Sequence, residues 1–335
     1  MTDDPPSTRP SPKPAHRVDR AVVLPDRQPN SAEEDGRVPG ALRSILQSPS
    51  YQEADQDEDF LQSEATRGIR LQLDFLKTET LLREHQIAHT IVVFGSTRIC
   101  EAQAARRAVA SMADVLALNP DDDDLQRRLK TARSLAAKSK YYRIARQFGQ
   151  IVGAASEKAI GGRLMIMTGG GPGIMEAANR GARDVEAPSI GLNIALPKEQ
   201  DPNPYVTPEL CFRFHYFAMR KLHFLMRARA LVAFPGGFGT MDELFEVLSL
   251  AQTRKIAPVP VVLVGESYWR RVFDPDFLVD EGVINPEDRC LFWFAESAEE
   301  TWQGILRWYE AAGRPLLPIG DDASRGKSIR KEGES

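Results

Sequence analysis

The nine residues from Pro235 to Glu243, Pro-Gly-Gly-Phe-Gly-Thr-Met-Asp-Glu, put three glycines within four positions and follow them with two carboxylates. An apolar run, Ala230 to Phe234, leads into them, and an amphipathic stretch leads out. A glycine loop that opens a helix presents unpaired amide N–H groups at the positive end of the helix dipole, and glycine lets the backbone approach an anion closely. The chemistry suited to such a turn is phosphate recognition. Phe94-Gly95-Ser96 and Thr168-Gly169-Gly170-Gly171-Pro172-Gly173 have the same character. Any one of the three also reads as a tight turn that needs positive φ. Three at the same edge of one sheet indicate a single pocket built from backbone N–H groups.

Thr240 and Glu243 have the spacing of a capping box, in which Thr240 caps the amide of Glu243 and Glu243 reaches back. Asp242 and Glu243 would then lie in the first turn, and the carboxylate would stay ionised near the helix dipole. The same carboxylate, held beside a phosphate, is what cleavage of a sugar C1–N bond requires, because positive charge develops on the ribose and water must be activated. Other nucleotide motifs fit less well. Gly239 is followed by Thr240 with no lysine, so the P-loop ending is missing. The run Gly169 to Ile174 does not complete G-x-G-x-x-G, and the strand that follows offers no acidic residue for a ribose, which argues against a nicotinamide enzyme. No Schiff-base lysine with groups to orient a pyridoxal ring is recognisable, and no cofactor is expected. No metal-ligand motif appears; His215 and His223 lie among aromatic residues and read as packing or surface positions.

The elements that must position these turns follow from the periodicity. Phe60 to Gln86 reads as helical, Thr90 to Phe94 as a strand, and Ala102 to Lys158 as helical with a solvated break near Asn119 to Asp124. Strands are predicted at Arg163 to Met167, Ser189 to Leu196, Leu210 to Tyr216, Ala230 to Phe234 and Val259 to Val264. Helices are predicted at Ile174 to Arg183, Phe217 to Ala228 and Thr240 to Lys255, with a further helix, strand and helix to about Ala312. Such alternation implies an α/β fold with a parallel sheet covered by helices on both faces, whose ligands lie beyond the C-terminal ends of the strands. Residues 1–59 are rich in Pro, Ser and charged side chains and read as a disordered arm, apart from a short helix near Gly40 to Gln47. Residues 60–315 read as one domain with a helical N-terminal extension, and residues 316–335 as a disordered charged tail.

The 335 residues carry a net charge of -4, with 27% charged, so no nucleic-acid partner is expected. Cys100, Cys211 and Cys290 form no paired motif. No apolar run approaches the ~20 residues that span a bilayer, and neither the cysteines nor the N-terminal residues indicate secretion. A cytoplasmic protein without a membrane partner is expected.

The combined motifs resemble those of the LOG ("Lonely Guy") phosphoribohydrolases. Pro235 to Glu243 matches the family's PGGxGTxxE at every fixed position, Arg220-Lys221 matches its upstream arginine-lysine pair, and Phe94-Gly95-Ser96 and Thr168 to Ala177 are similar to its other nucleotide-binding turns. The resemblance covers roughly residues 90–312. It implies a Rossmann-like doubly wound sheet, a homodimer or higher homo-oligomer, and metal-free hydrolysis of nucleoside 5′-monophosphates, AMP or cytokinin riboside 5′-monophosphates, to free base and ribose 5-phosphate. It implies Glu243 and Arg220 as catalytic residues, and Gly236, Gly237, Gly239, Thr240, Gly170, Gly171 and Ser96 as phosphate ligands. Tyr216-Phe217-Ala218 stand where the short members carry Asp-Met-His, which places the chain nearer the longer bacterial subgroup and bears on base preference. The alternative is a nucleotide-binding protein of the same fold without catalysis, in which Glu243 is only a cap.

Overall fold

The computed structural model describes residues 38–195 and 201–318. The proposed arm up to residue 37, the tail from residue 319 and the expected strand residue Leu196 lie outside the described residues. The chain divides into two units, Met1–Arg67 and Gly68–Ser335. The described part of the first holds α1 (Val38–Leu46) and a short α2 (Glu58–Gln62). Asp57 caps α2 by accepting from the Phe60 amide, and the Thr66 hydroxyl lies within hydrogen-bond distance of the carbonyls of Phe60, Leu61 and Ser63. The helix expected from Phe60 to Gln86 is therefore interrupted, and α3 runs only over Arg67–Glu84.

The second unit is a seven-stranded, all-parallel sheet: β1 (Ile87–Phe94), β2 (Arg163–Thr168), β3 (Ser189–Ile194), β4 (Cys211–Phe214), β5 (Ala228–Ala233), β6 (Val261–Val264) and β7 (Trp293–Ala295). The strand order is β4-β3-β2-β1-β5-β6-β7. Between the strands run α4 (Ala102–Leu118), α5 (Asp123–Ala137), α6 (Ser139–Ala155), α7 (Ile174–Asp184), α8 (Phe217–Met226), α9 (Phe238–Gln252), α10 (Glu266–Val272), α11 (Pro275–Asp280) and α12 (Ala298–Ala311). The expected solvated break in the first long helical region is present: Asp122 caps α5 by accepting from the amides of Asp124 and Leu125.

Central strands buried on both faces need continuous apolar sequence. Ile91, Val92, Val93 and Val261 to Val264 supply it, and each of these side chains is fully buried. Alternate residues feed two cores, one with Ile91, Val93, Phe148 and Ile166, the other with Val92, Met165, Leu231 and Trp269. The sheet is thus doubly wound. From β1 the chain moves outward through β2, β3 and β4, then returns to place β5 on the other side of β1. Strand order reverses there, and the crevice at the carboxyl ends of β2, β1 and β5 is where such a sheet binds ligands. All three glycine turns leave from those ends. His223 is buried and stacks on Phe75 with ring centroids 5.2 Å apart, which is a packing role.

Candidate active site

Main-chain hydrogen bonds join the three turns. The Ser96 amide donates to Pro235 O at 3.0 Å, and the Ile174 amide donates to Ser96 O at 3.1 Å, so the turn after β1 is held from both sides. Gly173 has φ +75°, and a Cβ there would lie 2.3 Å from Ser96 O, so both conformation and crowding require glycine. Gly170, at φ +71°, packs against Asn193. The glycine turn after β2 rests on a buried polar network. Thr168 Oγ1 accepts from the Gly170 amide and donates to Asn179 Oδ1; Asn203 donates its amide to Gly170 O and its Nδ2 to Gly171 O.

A cavity of about 510 Å³ opens above these turns. Of the residues expected in the site, it is lined by Ser96, Arg220, Gly237, Gly239, Thr240 and Glu243. Gly170, Gly171 and Gly236 are not among its lining. The first two shape the neighbouring turn, and Gly236 gives its carbonyl to the Tyr268 hydroxyl at 2.5 Å. A Cβ on Gly236 would meet Thr240 Oγ1 at 2.1 Å. Gly237 and Gly239 are different. Neither has positive φ, and a Cβ on either would meet nothing within 4 Å. Neither strain nor packing demands glycine there, and the space kept free lies in the cavity.

The capping box expected between Thr240 and Glu243 is not formed. Helix α9 begins two residues earlier than its predicted start, with Gly237 as N-cap, no side-chain cap and no acidic residue in the first turn. The Thr240 and Met241 amides donate to Gly237 O at 3.0 and 3.1 Å, so the first turn closes on the glycine carbonyl upstream of Thr240. Amides of Phe238 and Gly239, at the first two helical positions, find no acceptor within a helix. They are the donors a phosphate would meet.

Glu243 therefore sits inside the helix, 8% exposed, facing the cavity. Among the described residues no hydrogen bond reaches its carboxylate. Burial is the largest influence on its acidity and pushes the pKa up to about 7; Lys221 and then Arg220 attract the ionised form without offsetting that loss of water. The expectation that the carboxylate stays ionised is corrected accordingly: the group is poised between acid and base at neutral pH. Lys221 bridges α8 to α9, 2.8 Å from Asp242 and 3.2 Å from Glu246. Arg220 donates Nε to Leu192 O at 2.7 Å, and its guanidinium lies against the Gly169 backbone, where a Cβ would come within 2.4 Å of Nη2. Burial lowers the Arg220 pKa, and the charge of Glu243 raises it. An arginine does not lose its proton under such pressure.

Sequence reasoning missed four contributors: Tyr268, which anchors Gly236; Lys221, which tunes Glu243; and Phe217 and Phe238, which line the cavity. Among the described residues no group of three or more His, Cys, Asp or Glu could hold a metal. No helix among them is long and apolar enough to cross a membrane.

Comparison with known proteins bears on the same region. A protein-family model described as "Possible lysine decarboxylase" matches residues 175–305, from α7 to α12. A cytokinin riboside 5′-monophosphate phosphoribohydrolase of Arabidopsis thaliana, LOG7, is 33% identical over 146 residues, 41% of this chain and 63% of its own length. Over this region the chain is similar to proteins of the LOG family. A second Arabidopsis thaliana member, LOG5, is 29% identical over 43% of this chain and 63% of its own. The chain thus spans less than two thirds of the length of either relative. A solved structure of the Moco carrier protein from Chlamydomonas reinhardtii aligns with 67% of this chain and 98% of its own, at 17% identity and a TM-score of 0.38, too slight a likeness to bear on fold or function.

Proposed function

We propose that the chain hydrolyses the N-glycosidic bond of purine nucleoside 5′-monophosphates, AMP or cytokinin riboside 5′-monophosphates, to free base and ribose 5-phosphate. The observation that carries this reading is the juxtaposition in one cavity of Gly237 and Gly239, glycines that only an approaching ligand explains, with Glu243, a desolvated carboxyl group. Phosphate on the amides of Phe238 and Gly239 fixes one end of the nucleotide. The C1′–N bond then breaks with its electron pair leaving on the base. Ionised Glu243 stabilises the developing ribosyl cation and accepts a proton from the water that adds to C1′. The departing base takes a proton from solvent, and Glu243 returns its own to solvent, so the net reaction consumes one water. Arg220 offers its Nη donors to substrate oxygens. A homodimer is part of the same reading, supported by exposed Leu222, Met226 and Phe245 on α8 and α9.

The test is a panel of nucleoside monophosphates with base release followed by chromatography, and adenosine as the control lacking phosphate. AMP or an N6-substituted relative should be cleaved far faster than its nucleoside. Release from no monophosphate would leave a nucleotide-binding protein; equal rates with and without phosphate would remove the anchor.

A further inference from the structure

The cavity lining is chemically mixed. It combines the hydrogen-bond donors of Ser96, Gly237, Gly239 and Thr240 with the apolar side chains of Met175, Phe217 and Phe238. Phe217 is the first residue of α8 and Phe238 the first of α9, so each ring stands where a helix opens at the carboxyl edge of the sheet. Both are solvent-facing, at 51% and 95% exposure. Neither belongs to any of the protein's close ring pairs among the described residues, whereas Phe94 and Phe224 pack edge to face at 4.8 Å. Phe238 interrupts a turn otherwise made of glycines, where a polar side chain would satisfy the fold equally well. Two aromatic side chains without a ring partner among the described residues, lining a cavity that also carries donors suited to phosphate, match an amphiphilic ligand with an anionic end and a flat end.

We infer that Phe217 and Phe238 form an aromatic clamp for the nucleobase, holding it by stacking while the glycine turn holds the phosphate. The inference rests on the nucleotide reading above and adds which side chains take the base end of the substrate. Stacking responds to ring area and is tolerant of edge chemistry. Among the other charged residues lining the cavity, Asp242 is already engaged by Lys221. The clamp therefore selects purine over pyrimidine nucleotides and discriminates little between adenine and guanine.

Binding is measured by calorimetry in the Glu243→Gln protein, which holds substrate without turning it over, with AMP, GMP, UMP and ribose 5-phosphate as probes. Phe217→Ala and Phe238→Ala should each weaken AMP binding roughly ten-fold or more, the range of a lost base stack, while ribose 5-phosphate binding and melting temperature stay unchanged. Phe238→Tyr should restore AMP binding. AMP and GMP should bind alike and UMP more weakly. Equal weakening of AMP and ribose 5-phosphate would show that the rings only shape the phosphate turn and would overturn the clamp, as would unchanged AMP binding. A change of oligomeric state on sedimentation with AMP binding intact would assign Phe238 to a subunit interface instead. These readouts need no turnover, so failure of the wild-type protein to release base would overturn the hydrolase reading and leave the clamp to be judged on binding alone.

Discussion

Replacing Glu243 by Gln should make the protein more stable at alkaline pH while abolishing its turnover. The carboxyl group ordinarily titrates at 4.5 and is raised by burial to about 7 in the fold. A folded-state pKa above the unfolded one means that the native protein binds the extra proton. The stability this group contributes is full below pH 4.5 and is lost as pH climbs through about 7. The whole difference corresponds to about 3 kcal/mol. The attraction of Lys221 and Arg220 is already contained in it, since both remain cationic throughout. At 8% exposure the side chain has little solvent to screen that cost. Gln matches the protonated acid in size and never ionises. At pH 8.5, denaturant unfolding should therefore show the variant more stable by about 3 kcal/mol, against about 1 kcal/mol or less at pH 5. Base release should fall by roughly two or more orders of magnitude at pH 8.5, and by much less at pH 5, where the wild-type carboxyl group is itself largely protonated. Equal stability differences at the two pH values, or a variant less stable at pH 8.5, would refute the claim that Glu243 is held in a desolvated site. Stability gained where activity is lost is the mark of a group kept for chemistry rather than for folding.

Further outcomes follow from the neighbours. Lys221→Ala removes the cation that most favours ionised Glu243, so the acid limb of the pH–kcat/KM profile, set near 7 in the wild type, should move to higher pH; a shift downward would contradict the electrostatic assignment. Gly173→Ala and Gly237→Ala should separate architecture from recognition. The first places a side chain at φ +75° against Ser96 O and should cost at least about 1–2 kcal/mol in denaturant unfolding. The second meets nothing within 4 Å, so its stability should stay near wild type while calorimetry shows weaker AMP binding; a stable Gly173→Ala protein would undo the interlock described for the turns.

Much of this was legible in the sequence because the signals are local. Runs such as Ile91-Val92-Val93 and Val261 to Val264 can only be strands buried on both faces, and glycines that close a strand and open a helix locate the crevice without coordinates. Thr240-x-x-Glu243 misled because its spacing is equally compatible with a position inside a helix. What decides the start is which carbonyl the first amides reach, and Gly237 wins that competition three residues upstream of the residue expected to begin the helix. The acidity of Glu243 was not legible because it is set by water excluded by other elements and by charges on α8, residues close in space and distant along the chain. Tyr268 is a similar case: its grip on Gly236 spans 32 positions and has no local signature.

The hydrogen bonds through Ser96 have a consequence for how the site arises and how it can change. Its amide and carbonyl tie together turns that belong to β1, β2 and β5, so the cradle exists only once those three strands have paired. Exchange of the Ser96 and Ile174 amides with deuterated solvent should accordingly proceed through the global opening of the domain, not through a local one. Because these ties are main chain to main chain, side-chain substitutions away from Gly173 leave them in place. On the proposed reading the phosphate end of the pocket is bound into the fold itself, whereas the Phe217 and Phe238 side chains are exposed. Drift in the sequence can then change which base is held without dismantling the cradle that holds its phosphate.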